Sequence, residues 1–397
     1  MLNIRMYQAG NGDAFLVVID APEPCAILID GGYPGTFRNF IRRDLEILAA
    51  KGLKLDLVLA THFDQDHITG LLEFFKQNGK ADVPKIIQVR QVWHNSLRSV
   101  TAAPPQTPPT LNAGDKQILQ AICQRGMPVP VRTKVPSEIS ARHASSLAAL
   151  LLGGGYDWNM SQGRSRIVEG MHERFGDQLS IEVVGPPPER LDKLKARWLS
   201  AMRKLGFTGA VVGGPEFDDA YEFLSTYDDL RAAVDLAPKQ ISSSTSDELS
   251  KAHEPDTSLA NGSSIAVILH MMGAKLLFLG DAWAADIYAY LSQTYVCDRP
   301  VLFDVIKISH HGSASNTSVD LLKLVDAPVY MVSTDGGGHG HPDFSVLKAI
   351  VDRPSAYQRR LYFSHSTPAS RRLKQYASLN SLNVEINENA NNWIQIS

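Results

Sequence analysis

The stretch ATHFDQDHITG, residues 60–70, indicates what kind of protein this sequence encodes. It places His62, Asp64, Asp66 and His67 within six positions, between an apolar run and a glycine. Groups of this kind are costly to bury together unless a cation neutralises the carboxylates. Imidazole suits zinc, manganese and iron, and carboxylate oxygens shift the preference toward harder ions such as manganese. The stretch therefore indicates a metal site, although aspartate and histidine also gather in turns for local hydrogen bonding.

The second half of the chain also carries ligand-type residues where predicted strands end. LFLGD ends one strand with Asp281, and KISHHGS ends the next with His310 and His311. GGGHGHPD follows a third strand and contains His339 and His341. Layered α/β proteins build their sites at strand ends, so we expect these residues to meet the first cluster at one edge of the sheets. This repetition favours a metal site over local turn bonding.

Taken together, these motifs resemble those of the metallo-β-lactamase fold hydrolases. THFDQDHITG is similar to the family's HxHxDH motif, with Asp64 in place of the second histidine, and FLGD, HHGS and HGHP are similar to its later motifs. With GNGDAFLVVI, ILIDGG and NGSSIAVIL added, the set looks most like the nuclease-like domain of the DNA-uptake protein ComEC and its soluble relatives. The resemblance covers about residues 1–95 and 255–350 and leaves the middle of the chain uncovered.

The resemblance implies an α/β (α+β) fold, a four-layer αββα metallo-β-lactamase sandwich with a largely helical insertion in the middle. Residues 1–397 would form a single domain, with a first αβ half at 1–98, a helical insertion and flexible connection at 99–260, and a second αβ half at 261–397. Periodicity also predicts a hairpin from AFLVVID and CAILIDGG, then a helix, then the strand LDLVLATH. The Ser-rich residues 242–258 fit a flexible connection or a lid.

The resemblance further implies a site for two divalent ions, Zn²⁺ or Mn²⁺. Motif positions assign His62 and Asp64 to the first ion, Asp66 and His67 to the second, Asp281 between the two, and His310 as the last metal histidine. His311 and His341 are alternatives for that last position. The family's third-motif histidine has no counterpart, because VVGPPP occupies that region. The first ion's set of ligands is therefore incomplete in this alignment of motifs.

Hydrolysis is the activity that two such ions support. Paired cations acidify water and stabilise charge that develops on a phosphoryl or carbonyl oxygen. Asp66 would orient the resulting metal-activated hydroxide, and His311 or His341 would donate a proton to the leaving group or hold the substrate phosphate. The residues predicted to contact substrate are Ser313, His339, Asn261 and His94. GNGD at residues 10–13 and DGG at residues 30–32 are interpreted as tight glycine turns.

Composition limits the partners and the location. A formal net charge of -3 gives no global attraction to nucleic acid or anionic membrane, so any such contact would be local. Three widely spaced cysteines fit reduced thiols and a cytoplasmic location rather than a disulfide framework. No segment approaches the roughly 18 consecutive apolar residues of a membrane span, and no export signal is visible. We expect no membrane partner, and the oligomeric state is not predicted.

Three functions remain open from sequence. The first is a phosphodiesterase or nuclease that cleaves DNA, RNA or another phosphodiester, which Asp64 and the ComEC resemblance favour. The second is hydrolysis of a small ester, lactone or phosphorylcholine-type group, because one fold supports many activities. The third is a catalytically degenerate binding or regulatory protein, which the missing third-motif histidine keeps open. Metal content separates the third function from the other two.

Overall fold

The computed structural model describes most of the chain. The described residues are 1–20, 24–101, 111–125, 146–211, 217–223, 249–250, 253–296, 300–338 and 340–396. Of the Ser-rich segment predicted as a connection or lid, only residues 249–250 and 253–258 fall within these ranges, and His339 lies outside them.

Most of the described strands belong to two large sheets. In chain order the strands are β1 (Leu2–Met6), β2 (Phe15–Ile19), β3 (Cys25–Ile29), β4 (Leu57–Leu59), β5 (Val92–Trp93), β6 (His172–Phe175), β7 (Leu179–Gly185), β8 (Ala266–Met271), β9 (Ala274–Phe278), β10 (Val301–Leu302), β11 (Val305–Lys307), β12 (Val325–Asp326), β13 (Val329–Val332), β14 (Arg359–Phe363), β15 (Val384–Asn387) and β16 (Trp393–Ile396).

Helices connect many of these strands. In chain order they are α1 (Pro34–Thr36), α2 (Arg42–Ala50), α3 (Gln65–Asn78), α4 (Leu97–Val100), α5 (Ala113–Arg125), α6 (Leu147–Gly154), α7 (Pro188–Lys204), α8 (Ala284–Thr294), α9 (Val319–Leu324), α10 (Phe344–Val351) and α11 (Pro368–Leu379). A π-helical turn, Phe37–Ile41, joins α1 to α2, and Asn261–Ser263 and Ser309–Gly312 form single tight turns.

Sheet order brings the two ends of the chain together. Within the described residues, the first sheet has the order β16-β1-β2-β3-β4-β5, and the second has the order β15-β14-β13-β11-β9-β8-β7-β6. Strands β3, β4 and β5 run parallel, as do β9, β11, β13, β14 and β15. The C-terminal strand β16 pairs antiparallel with β1, so Leu2 lies opposite Ile396. A separate short parallel pair joins β10 to β12.

Apolar side chains hold four layers together. One core lies between the two sheets and includes the edge-to-face ring pair Phe15 and Phe278, whose centroids are 5.4 Å apart. A second core packs the first sheet against helices such as α3, and a third packs the second sheet against helices such as α10. Strands covered on both faces need continuous apolar runs, as in the fully buried β2 and β3. The predicted four-layer αββα sandwich is confirmed.

Some elements were not predicted from sequence. Strand β1 has an alternating burial pattern, and its sequence LNIRM carries the matching apolar alternation that could have revealed it. The C-terminal strands β14, β15 and β16 were also missed. Strand β7, which the run LSIEVVG before the prolines predicts from sequence, and its unpredicted neighbour β6 lie in the middle segment 99–260 and extend the second sheet through β8. The domain boundaries themselves stay a prediction.

The parallel strands place their carboxyl ends at one edge of each sheet. Asp30 follows β3, and the His62 stretch follows β4. In the second sheet, Asp281 follows β9, and the His310 and His311 pair follows β11. Within the described ranges, no helix combines the length and the apolar character needed to cross a membrane.

Candidate metal centre

The first group of ligand-type residues lies in the turn between β4 and α3. Asp64 precedes α3 in an extended conformation, so the chain turns sharply between His62 and the first helical turn, which carries Asp66 and His67. His62 and His67 are almost completely buried. Gly12 packs on this turn so closely that a Cβ there would lie 2.0 Å from the Asp66 carbonyl oxygen. Only glycine fits at position 12 without moving the backbone of Asp66.

The second group lies at the ends of β9 and β11. His310 and His311 both have left-handed backbone conformations, with φ angles of 45° and 56°, and Gly312 follows with φ of 90°. Left-handed conformations are unfavourable for residues other than glycine, and strain of this kind concentrates at functional sites. The turn leaves Nε2 of both His310 and His311 3.8 Å from Oδ2 of Asp281.

Four imidazoles from the two halves converge on one carboxylate oxygen, Oδ2 of Asp281. The distances from this oxygen to Nε2 are 3.4 Å for His67 and 3.8 Å for each of His62, His310 and His311. Asp64 and Asp66 flank the cluster, with Asp64 3.4 Å from His62 Nε2 and Asp66 3.4 Å from His311 Nε2. The six residues assigned to metal from sequence therefore lie together, and His311 lies among them.

The protein also fixes the orientation of these imidazoles through their Nδ1 atoms. The Nδ1 partners are Asp30 Oδ2 at 2.8 Å for His67, the Ser333 carbonyl oxygen at 2.7 Å for His311, Asn316 Oδ1 at 2.7 Å for His310, and the hydroxyls of Thr61 and Ser264 at 3.1 and 3.2 Å for His62. An acceptor at Nδ1 holds the proton there and leaves the Nε2 lone pair free to bind a metal. The imidazoles are therefore arranged as metal ligands.

Unpartnered polar atoms point into this cluster. Among the described residues, Nε2 of His62, His67 and His311 and one carboxylate oxygen each of Asp64 and Asp281 are buried without a hydrogen-bond partner. Buried polar atoms are almost always paired, so this concentration calls for a ligand. Candidate ligand atoms of His62, His67 and Asp281 lie within 4.8 Å of one another, as do those of Asp66, His67 and His311. Nitrogen and oxygen donors at these separations fit divalent metal ions.

Charge in the cluster also favours cations. Burial opposes protonation of His67, yet the carboxylates of Asp281 and Asp66 raise its pKa well above the usual value. Burial likewise opposes protonation of His311, and the nearby carboxylates of Asp281 and Asp13 raise its pKa to about 10. Burial favours the neutral acid at Asp281, but the imidazoles of His67, His310 and His311 hold the pKa of Asp281 well below the usual value. Without metal, His67 and His311 take up protons, and bound cations would replace that positive charge.

Three buried residues behind the cluster were missed in the sequence analysis. Asp30 accepts hydrogen bonds from Thr61 and His67, and Asp13 forms an ion pair with the almost fully buried Lys307. Lys307 Nζ also donates to the Gly280 carbonyl oxygen at 2.9 Å. The stretches GNGD and DGG do form turns with positive φ at glycine, but their aspartates support the site. The available sequence signal was a carboxylate next to glycine in each stretch.

The remaining predicted site residues have different surroundings. The His341 ring centroid lies 5.2 Å from that of His310, so His341 borders the cluster, and Ser313 is buried directly after the HHG turn. Asn261 donates to Asp256 at 2.8 Å instead of pointing at the cluster.

His94 also departs from the prediction. It is completely buried and bonds Glu222 at 2.8 Å. The structure thus gives His94 an internal partner in place of the predicted substrate contact.

Sequence comparison identifies one family. Residues 7–120 match the metallo-beta-lactamase superfamily, whose members are generally hydrolytic, and this match contains the His62 to His67 cluster. No curated protein matches the chain.

Comparison with solved structures gives distant similarity. A mutant of CmlA beta-hydroxylase shares 12% identity at a TM-score of 0.37, with all of this chain and 54% of that chain covered. Zn²⁺-bound PqqB from Methylobacterium extorquens shares 11% identity at 0.35, with 96% and 87% covered. A long form RNase Z from yeast shares 8% identity at 0.33, with 92% and 36% covered. The chain thus spans about half the length of the CmlA structure.

Proposed function

We propose that this chain, which has the metallo-β-lactamase fold, is a metal-dependent hydrolase that cleaves phosphodiesters, with DNA or RNA as the substrate class. The observation that carries the proposal is the convergence of four imidazole Nε2 atoms on Oδ2 of Asp281, with unpartnered buried nitrogens among them. The resemblance of the motifs to the ComEC nuclease-like domain supports the choice of phosphodiesters.

Two divalent ions, Zn²⁺ or Mn²⁺, fit the donor set. The residues that would hold them are His62, Asp64, Asp66, His67, Asp281, His310 and His311. Bound there, the ions would supply acidified water and would neutralise charge that develops on a phosphoryl oxygen. Asp64 contributes oxygen where the common family motif has histidine, which favours harder ions such as Mn²⁺.

Residues of the chain itself would orient the attacking water and transfer protons. Burial favours the neutral acid at Asp66, yet His67 and His311 hold its pKa below the usual value, so the carboxylate stays ionised and can accept a hydrogen bond that orients the attacking water. His311 Nε2 faces the carboxylates of Asp66 and Asp281. This position favours His311 as a metal ligand rather than as the proton donor that the sequence analysis considered. His341 borders the cluster and, in this proposal, contacts the scissile phosphate or the leaving group.

Measurement of metal content together with activity tests the proposal. Protein purified without chelator would be assayed for Zn and Mn by elemental analysis, then for cleavage of bis-p-nitrophenyl phosphate, single-stranded DNA and RNA with added Mn²⁺ or Zn²⁺. We expect about two ions per chain and cleavage that Asp66→Ala abolishes. Asp20→Ala, which alters an exposed residue bonded to Asn3, is the matched control.

The alternative functions correspond to distinct results of these assays. Fully metallated protein that leaves every phosphodiester intact but hydrolyses a small ester, lactone or phosphorylcholine compound would contradict the phosphodiester proposal and support the second function. Metal content well below one ion per chain, even after reconstitution, would contradict hydrolysis altogether and support a binding protein. A cytoplasmic location stays a prediction.

A further inference from the structure

A hydrogen-bonded relay supports His310 from outside the cluster of ligands. His310 Nδ1 lies 2.7 Å from Asn316 Oδ1. The Asn316 amide nitrogen donates to Asp256 Oδ2 at 2.9 Å and to the Asp281 carbonyl oxygen at 3.0 Å. Asn316 is completely buried, so this amide has no competing water contacts.

The relay determines which nitrogen of His310 carries the proton. Asp256 and the Asp281 carbonyl are acceptors only, so they require the NH₂ group of Asn316 on their side. The carbonyl oxygen of the Asn316 amide must then face His310 and accept the proton of Nδ1. Nε2 is left with its lone pair directed toward Oδ2 of Asp281, 3.8 Å away. The Asp256 carboxylate, which reaches His310 through Asn316, thus fixes the His310 tautomer that suits metal binding.

The position of the relay is secured by the chain segment that precedes β8. The backbone N–H of Asp256 donates to the Ser315 carbonyl oxygen at 3.3 Å, and Nδ1 of His253 lies 2.6 Å from the Ala314 carbonyl oxygen. Asn261 donates to Oδ2 of Asp256, the oxygen that also accepts from Asn316, and the Ser258 backbone N–H donates to Oδ1. The segment and the loop after the HHG turn therefore hold each other in register.

The end of β7 contributes no imidazole to the cluster. This strand ends at Gly185, in the region where the family's third-motif histidine is expected and VVGPPP stands instead. A Cβ at Gly185 would lie 3.2 Å from Ile287 Cδ1 and 3.9 Å from the Ser264 carbonyl oxygen, so a larger side chain would be crowded there. No histidine at the end of β7 therefore reaches the cluster, and His310 supplies an imidazole from the turn after β11.

We propose that Asp256 and Asn316 are positioning residues that hold His310, through the fixed orientation of its ring, as a metal ligand beside Asp281. This inference rests on the metal centre of the proposed function but not on its substrate. It makes the binding of one metal ion depend on the segment 253–258, which lies near the end of the middle segment 99–260.

Titration with Co²⁺ tests the relay, because the visible absorption of bound Co²⁺ reports its ligands independently of catalysis. The variants are Asn316→Ala, Asp256→Ala and His310→Ala, with Asn261→Ala as the matched control that removes a different hydrogen bond of the same carboxylate. We expect Asn316→Ala and Asp256→Ala to lower the affinity for one of two Co²⁺ ions about 10–100-fold and to change the absorption spectrum of that ion. Asn261→Ala should leave both affinities and the spectrum unchanged.

If Asn316→Ala or Asp256→Ala prevents folding, the His310→Ala variant still tests the inference. Its side chain is 20% exposed, so its removal should be tolerated, and we expect it to lose the same Co²⁺ ion. Retention of both ions with wild-type affinity in His310→Ala would overturn the inference. So would equal effects of Asn261→Ala and Asp256→Ala, since the carboxylate would then serve only to hold the segment. Wild-type protein that binds two ions but cleaves no phosphodiester would contradict the proposed function while leaving this inference intact.

Discussion

Replacement of Asp30 by asparagine is the sharpest test of how the site holds His67. The Asp30 carboxylate accepts three hydrogen bonds, from the Thr61 backbone N–H at 2.8 Å, the Thr61 hydroxyl at 2.7 Å and His67 Nδ1 at 2.8 Å. In Asp30→Asn one carboxylate oxygen becomes an NH₂ group. Whichever way the amide turns, it cannot accept from both the Thr61 backbone N–H and His67 Nδ1, because these donors lie on different oxygens.

The expected magnitude follows from the bond that is lost. If the amide oxygen stays on the Thr61 backbone, the NH₂ group faces Nδ1 of His67 and forces its proton onto Nε2, the atom that would bind metal. If the amide turns over, two N–H donors oppose each other at Thr61, at a cost of about 1–3 kcal/mol. Loss of a partner of this kind lowers metal affinity about 10–100-fold, equivalent to roughly 1.4–2.7 kcal/mol.

The assay is competition for Zn²⁺ against a chromogenic chelator, with unfolding of the metal-free protein followed in parallel. Asp44→Asn is the matched control, because buried Asp44 also accepts hydrogen bonds, but from Tyr7 and Arg5 rather than from a candidate ligand. We expect weaker binding of one ion in Asp30→Asn and unchanged binding in Asp44→Asn. Wild-type affinity for both ions in a folded Asp30→Asn protein would refute the reasoning.

Further predictions concern activity and stability. Asp66→Ala should reduce phosphodiester cleavage at least about 100-fold, since several kcal/mol of charge stabilisation depend on the metals; a smaller loss in steady-state assays would contradict its role. Burial raises the pKa of Asp218 to about 7, so its protonation stabilises the folded protein at low pH, and that stability falls as pH rises from about 4 to 7. Asp218→Asn should therefore gain stability over the wild type, by roughly 4 kcal/mol at most, in urea unfolding at pH 8 but not at pH 4; an equal difference at both pH values would exclude this cause. Gly12→Ala should cost about 1–3 kcal/mol by overpacking, whereas Gly153→Ala, with open space around its Cβ, should not destabilise the protein. Free metal at 100 times its dissociation constant should raise the free energy of unfolding by about 2.7 kcal/mol per site, and an unfolding midpoint insensitive to chelator would contradict a metal centre.

Local sequence determined the ligand-rich turn. His62, Asp64, Asp66 and His67 are close because they are neighbours in the chain, at the point where a strand gives way to a helix. The apolar runs that precede Asp281 and His310 likewise identified strand ends from period and length. These signals indicated a candidate metal site at strand ends, and the four-layer fold followed from the resemblance of the motifs to the metallo-β-lactamase fold family.

Tertiary structure alone decided which distant residues support that site. Asp13 meets Lys307, and Asp256 reaches His310 through Asn316, because sheet order and the loops after parallel strands bring together residues that no sequence pattern relates. The local sequence likewise does not show that β1 pairs with β16. The alternation of residues determines which face of a strand is buried, but it does not identify the strand's partner.

The two left-handed histidines show the same limit. Sequence supplied the HHGS motif but not the backbone conformation that turns both imidazoles of His310 and His311 toward Asp281. That conformation is unfavourable for an isolated chain and persists only where surrounding contacts impose it. The sequence by itself determined the ligand types and their strand ends, and the packed structure decided their orientation and their supporting partners.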